Sequence, residues 1–147
     1  MGTYGSQGYN VIGDAVSYPS YANVSVSGQS TYVWSNTSTD TRALENVTGS
    51  YRTAACWYSS SSFSINVNFT DGKTHDLALY FLDFDNRGRS EQIQITSAAT
   101  GAVLDTEMVS SFSGGVYLQW AISGSVVIKI TNISGANAVV NGLFFDA

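Results

Sequence analysis

Hydrophobic and polar residues alternate with period two over much of this chain, most regularly from Ser62 to Thr70. There Phe63, Ile65, Val67 and Phe69 share one face, and Ser64, Asn66 and Asn68 the other. Successive side chains of a strand point to opposite faces, so this run predicts a half-buried strand. Asp71-Gly72 supplies turn chemistry, and His75 to Phe84 follows with Leu77, Leu79 and Phe81 on one face and Ala78, Tyr80 and Leu82 on the other. Both faces are apolar, which predicts a central strand. Glu91 to Thr96 turns Ile93 and Ile95 inward and Gln92 and Gln94 outward, and a Thr100-Gly101 turn joins it to Val103 to Val109 as a hairpin. Gly115 to Ile122 sets Val116, Leu118, Trp120 and Ile122 against Tyr117, Gln119 and Ala121. Val126, Ile128 and Ile130 then alternate with Val127, Lys129 and Thr131, and Ala138 to Asp146 forms the last strand.

The first third is less regular, with short strands expected at Tyr9 to Ile12, Tyr21 to Val26, Thr31 to Trp34 and Arg52 to Trp57. No stretch carries the 3.6-residue apolar stripe of an amphipathic helix. About ten strands, with turns roughly every 8 to 12 residues, predict an all-β fold: a single antiparallel two-sheet β-sandwich of jelly-roll type spanning residues 1–147. Its expected core is Phe63, Ile65, Val67, Leu79, Phe81, Ile93, Ile95, Leu118, Ile128 and Ile130. Composition agrees, because 22 Ser, 13 Thr, 14 Gly and 10 Asn stand beside a single Pro, a turn-rich inventory unsuited to helical bundles.

Charge narrows the partners. Only 12% of residues are charged and the net charge is −5, the opposite of the basic footprint that phosphate backbones select, so nucleic acid is not expected. No run approaches the ~20 apolar residues of a membrane span. A Ser/Thr/Asn/Tyr-rich, Lys-poor surface is common in extracellular modules, and Met1 directly precedes a Gly-rich segment with no signal-peptide features. We therefore expect a monomeric domain cut from a larger secreted protein. The Asn-x-Ser/Thr sequons at Asn23, Asn36, Asn46, Asn68 and Asn132 matter only in a eukaryotic source.

Catalytic apparatus is sparse. Cys56 is the only cysteine, and in its apolar stretch reads as a small buried hydrophobe. His75, the only histidine, reads as a solvated hairpin residue. The densest polar cluster is Asp83, Asp85, Arg87, Arg89 and Glu91. Asp83 and Asp85 share a face if the strand persists that far, and paired carboxylates divide acid and base work in glycoside hydrolysis. Arg87 and Arg89 hold both acids ionised instead, so the cluster reads as a structural or ligand-orienting loop. The run also imitates the start of a calcium loop, but Arg87 in the fifth position and Gln94 in place of the bidentate Glu reject an EF-type site. No cofactor is expected beyond a structural calcium at the chain ends, with Asn10, Asp14 and Asp146 as its candidate oxygen ligands.

What remains suits sugars, which offer apolar C–H faces to aromatic rings and hydroxyls to amides, carboxylates and guanidinium groups. Trp34, Trp57 and Tyr58 lie near strand–loop junctions where a ring can leave the core. Alternation keeps Trp120 inside with Leu118 and Ile122, and turns Tyr117 outward beside Gln119. The outward residues Asn66, Asn68, Tyr80, Gln92, Gln94, Tyr117, Gln119 and Lys129 make an amide-rich surface with few charges. The candidate ligand-binding set is therefore Trp34, Trp57, Tyr58, Tyr117, Gln119, Asp83, Asp85, Arg87 and Arg89.

Several segments together carry a resemblance: Tyr4 to Ile12, Tyr18 to Ala22, Leu79 to Asp83, Asp85 to Arg89, Ser111 to Gly115 and Asn141 to Asp146. The chain resembles bacterial extracellular β-sandwich modules of the galactose-binding or jelly-roll type, which bind carbohydrate and are appended to secreted polysaccharide-degrading enzymes. The resemblance implies a non-catalytic module that holds a linked catalytic domain near a polysaccharide or oligosaccharide. The alternative is a structural spacer or adhesion domain of a secreted or cell-surface protein.

Overall fold

The structure, a computed structural model, describes residues 4–147. Those residues contain no helix. In the first half the strands are β1 (Gly8–Val11), β2 (Ala15–Ser17), β3 (Ala22–Ser27), β4 (Ser30–Ser38), β5 (Leu44–Glu45), β6 (Arg52–Ser59) and β7 (Ser62–Phe69). The second half adds β8 (His75–Phe81), β9 (Ser90–Ser97), β10 (Val103–Ser110), β11 (Val116–Ile122), β12 (Ser125–Ser134), β13 (Ala138–Val140) and β14 (Gly142–Asp146). Two five-stranded antiparallel sheets, ordered β11-β8-β14-β1-β2 and β10-β9-β12-β7-β3, form a jelly-roll-type sandwich. A smaller sheet, β13-β6-β4 with β5 beside β6, packs against the same core.

The alternating runs pair in register, with Ile65 opposite Ile128 and Ile128 opposite Ile95 across the second sheet. Their apolar faces meet Leu77, Leu79, Phe81, Leu143 and Phe145 from the first sheet. Leu118 and Trp120, expected inside, are only half-buried. They sit on β11, the end strand of its sheet, and Trp120 Nε1 donates to Asp105 at 2.7 Å.

Other expectations fail for local reasons. The strand from His75 ends at Phe81, because Leu82 N donates to Asn141 Oδ1 (2.8 Å) instead of continuing a ladder. The expected strand from Ala138 to Asp146 breaks at Asn141. Asn141 ties three segments together: its N donates to Tyr80 O (2.8 Å), its Nδ2 to Ala55 O (2.9 Å), and its O accepts from Ile12 N (3.3 Å). His75 is not solvated: Tyr21 stacks on it at 3.8 Å and its Nε2 meets Asp71 at 2.9 Å. Tyr80 is not on an open surface, because the segment from 41 to 45 lies over this face of β8 and the Tyr80 hydroxyl donates to Arg42 O at 2.6 Å. Gly115 permits that position, since a Cβ there would come within 2.0 Å of the Tyr80 hydroxyl.

Ile65 and Ile128 are both fully buried. Truncating either to Ala removes a core side chain and leaves a cavity, and we expect a loss of about 2 to 5 kcal/mol. Urea unfolding of Ile65→Ala and Ile128→Ala measures it; a loss under ~1 kcal/mol in both would contradict this core.

Candidate functional site

Five of the nine predicted ligand residues meet in one cleft of about 300 Å³: Trp34, Tyr58, Asp85, Arg87 and Arg89, joined by Tyr32, Cys56, Ala136 and Asn137. The wall comes from β4 and β6. Tyr32 pairs with Cys56 and Ser30 with Tyr58, so these residues share a face. Val33 is paired with Ala55, but the next pair is Ser35 with Ala54, which leaves Trp34 without a partner. Trp34 is thus the extra residue of a β-bulge, a device that re-aims a side chain without undoing the strand. Its ring stands edge-on to Tyr32 at 5.6 Å and tilts against Phe84 at 5.4 Å.

The opposite wall is the loop between β8 and β9, organised by Asp83 and Arg89. Asp83 Oδ1 accepts from Arg87 N (3.1 Å) and Oδ2 from Arg89 N (3.2 Å). Arg89 Nη1 donates to Asp83 at 2.5 Å and also bonds Asp85, while Nε donates to Asn137 Oδ1 at 2.8 Å. The side chains of Arg89 and Asp83 are only 5% and 2% exposed. The guanidinium carbon lies 5.7 Å from the Trp34 ring centre, within cation–π range. The turn that carries Asn137 approaches closely at Gly135, where a Cβ would stand 3.0 Å from Arg89 Cα. Arg87, by contrast, is 64% exposed and bonded to Asp85 at 3.2 Å, so its head group lies at the rim.

Burial works against the charge of Arg89, but its bonds to Asp85 and Asp83 outweigh it and raise its pKa above the ordinary value. Burial likewise disfavours ionised Asp85, yet the hydrogen bond and charge of Arg89 prevail and lower its pKa. Arg87 and Arg89 are paired with Asp85 on the cleft surface and Asp83 beneath it, so the loop's charges balance while the cleft offers both donors and acceptors. Cys56 forms the floor, and burial pushes its thiol up to about 12, leaving it protonated and unreactive.

The other candidates fall elsewhere. Trp57 is buried in the core, because neighbours on a strand face opposite ways and Tyr58 takes the cleft side. Asp83 shapes the loop from beneath and is not on the cleft surface. Tyr117 and Gln119 are outward, as expected, but on β11; Tyr117 lines a different cleft. Each calcium candidate has its own hydrogen-bond partner. Asn10 donates to Tyr18 (2.8 Å), Asp14 accepts from Val47 N (2.8 Å), and Asp146 accepts from Gly5 N and Ser6 N at 3.0 and 2.8 Å. Among the described residues no three His, Cys, Asp or Glu side chains cluster for a metal. Sequence reasoning missed Tyr32 and Asn137. Tyr32 was legible, since it stands two residues from Trp34 on the same run, whereas nothing local marks Asn137 in its turn.

Beneath the cleft lies Glu91. It lies on the inward side of β9, two residues past Arg89, is fully buried, and accepts from Val139 N at 2.9 Å through Oε1. Burial is the main reason its pKa rises to about 8, with the Val139 bond and Arg89 opposing the rise.

No family model matches the chain, and no curated protein matches it. Among solved structures it is similar to carbohydrate-binding modules. One is a family 35 module from Clostridium thermocellum (12% identity, 84% of this chain and 90% of that one, TM-score 0.44). Another is the Cellvibrio mixtus lichenase 5A module in complex with cellotriose (13% identity, 84% and 89%, TM-score 0.46). A third is TmCBM61 in complex with β-1,4-galactotriose (12% identity, 86% and 88%, TM-score 0.44).

Because folded Glu91 holds its proton more tightly than the unfolded chain, its contribution to stability is complete below its ordinary pKa of 4.5 and is lost as pH rises through about 8. Urea midpoints across that window should fall with pH in the wild type and flatten in Glu91→Gln. Equal slopes in the two proteins would contradict this assignment.

Proposed function

We propose that the cleft between Trp34 and the β8–β9 loop binds a neutral carbohydrate without transforming it. The observation that carries this reading is Trp34 itself, a half-buried indole at the unpaired bulge position of β4, set opposite a fixed guanidinium–carboxylate–amide array. A pyranose needs such a pairing, because its C–H face is apolar and its rim of hydroxyls both donates and accepts. Tyr32, 52% exposed, and the half-buried Tyr58 extend the aromatic wall. Asp85 and Arg89 present hydrogen-bonding groups whose geometry is already set by one another, which lowers the ordering cost of binding.

The same salt links argue against hydrolysis. Acid–base catalysis requires one carboxyl that keeps its proton near neutrality, and Asp85 is shifted the other way. Among the described residues the carboxyl that is shifted up, Glu91, is buried beneath the cleft and out of reach of a substrate. In the full protein this reading makes the domain a secreted, monomeric targeting module, holding a linked catalytic domain against a polysaccharide.

Calorimetric titration against neutral oligosaccharides tests the proposal. A ring covering ~80 Å² of sugar contributes about 2 kcal/mol, so affinities in the micromolar to millimolar range are expected, with little salt dependence. Trp34→Ala should weaken binding at least about tenfold and Tyr58→Ala less, with the circular dichroism of the fold retained. Binding that survives Trp34→Ala unchanged would move the site elsewhere, and failure to bind any neutral glycan would favour a structural spacer.

A further inference from the structure

The half-buried ring of Phe84 touches one residue of this cleft and one residue of a neighbouring cleft. Phe84 packs against Trp34 at 5.4 Å, and the Arg42 guanidinium lies over Phe84 at 5.0 Å. Arg42 in turn lines a second cleft of about 270 Å³, between the segment from 41 to 45 and the outward face of the β11-β8-β14-β1 sheet. One wall of this second cleft is a tyrosine stack, with Tyr4 and Tyr80 each 4.5 Å from Tyr117. Tyr117 sits in the middle of that stack yet remains exposed at its outer edge.

The polar groups here divide into fixed and loose. Arg42 is fully committed: Nη1 donates to Ser113 O at 2.7 Å, and Nε and Nη2 hold Asp40. Arg52 anchors one nitrogen on Ala43 O at 2.7 Å, but its Nη2 reaches Glu45 only at 3.4 Å, and the Glu45 side chain is half exposed. That pair can exchange its long bond for the hydroxyls of a ligand at small cost, since exposed ion pairs of this kind contribute little. Charges cancel within Arg42–Asp40 and within Arg52–Glu45, so neither sign of ion is favoured. Aromatic edges beside a donor–acceptor pair occur here as in the first cleft, with the pair loosely held where the first is fixed.

We infer that the second cleft is a subsite for the same ligand, so that one neutral oligosaccharide runs from Trp34 and Tyr58 across Phe84 to Tyr117 and the Arg52–Glu45 pair. This rests on the sugar-binding reading of the first cleft and adds a length requirement to it. A short sugar fills the Trp34 cleft alone, and a longer chain gains the contacts beyond Phe84.

The test is titration of gluco-, xylo- and galacto-oligosaccharides from disaccharide to hexasaccharide against wild type, Trp34→Ala, Glu45→Gln and Tyr117→Leu. Far-ultraviolet circular dichroism and unfolding midpoints verify the fold of each. In the wild type affinity should rise about tenfold between the shortest sugar that binds and the longest, and backbone amide resonances of residues 41 to 45 should respond only to the longer sugars. Glu45→Gln and Tyr117→Leu should abolish the rise and leave short-sugar affinity unchanged. Affinity independent of length, or a rise that both variants retain, would overturn the second subsite while the Trp34 site stands. Loss of nothing in Trp34→Ala, or no binding by any sugar, would overturn the first site and the inference with it.

Discussion

The burial of Arg89 is the constraint from which the rest of the site follows. A guanidinium removed from water without partners is prohibitively unstable, and a buried pair that loses one member is destabilised by about 3 to 5 kcal/mol. The chain meets this demand by folding the 83–89 loop around the charge: Asp83 and Asp85 supply the anions, and Asn137 takes the remaining direction from a separate turn. Each partner is thereby fixed in turn. Asp83 spends its other bonding capacity on the backbone of Arg87 and Arg89, which gives the loop its curvature, and Asn137 draws the turn at Gly135 against Arg89. The same guanidinium lies over Trp34, so one charge is in contact with both walls of the cleft.

Rigidity of this kind suits recognition of a weakly interacting, uncharged ligand. A sugar ring contributes few contacts of modest strength, and any side chain that must be immobilised on binding subtracts from them. Here the acidic and basic groups are already immobilised by one another. Glu91 extends the arrangement one layer down, linking β9 to β13 through Val139 N, so that the floor of the cleft is held by a carboxyl group where a ladder partner is missing.

How far all this was legible in the sequence depends on the range of the forces involved. Alternation along Ser62 to Thr70, Glu91 to Thr96 and Val126 to Thr131 reflects burial of one face and was readable without knowing the partner strand. The break at Asn141 was not, because it arises from a side-chain amide that serves Leu82 and Ala55 and a backbone N that serves Tyr80, residues remote in the chain. Tyr80 and His75 were misread for a related reason: the segment over Tyr80 and the Tyr21 ring over His75 carry no periodicity that announces them. Trp57 was a different failure, since its adjacency to Tyr58 on one strand already required the two rings to part. The clustering of Trp34, Tyr58, Asp85, Arg87 and Arg89 was legible as chemistry but not as proximity.

The unpaired position of Trp34 has a consequence for what a change of that side chain disturbs. Pairs from Ser30 with Tyr58 to Val33 with Ala55 are complete before the bulge, and pairing resumes at Ser35 with Ala54 after it. Trp34, the residue to which the proposed function assigns the sugar contact, is therefore supernumerary to the sheet. A substitution there leaves the upstream ladder in register and is felt instead through the packing of the ring on Phe84 and the Arg89 guanidinium.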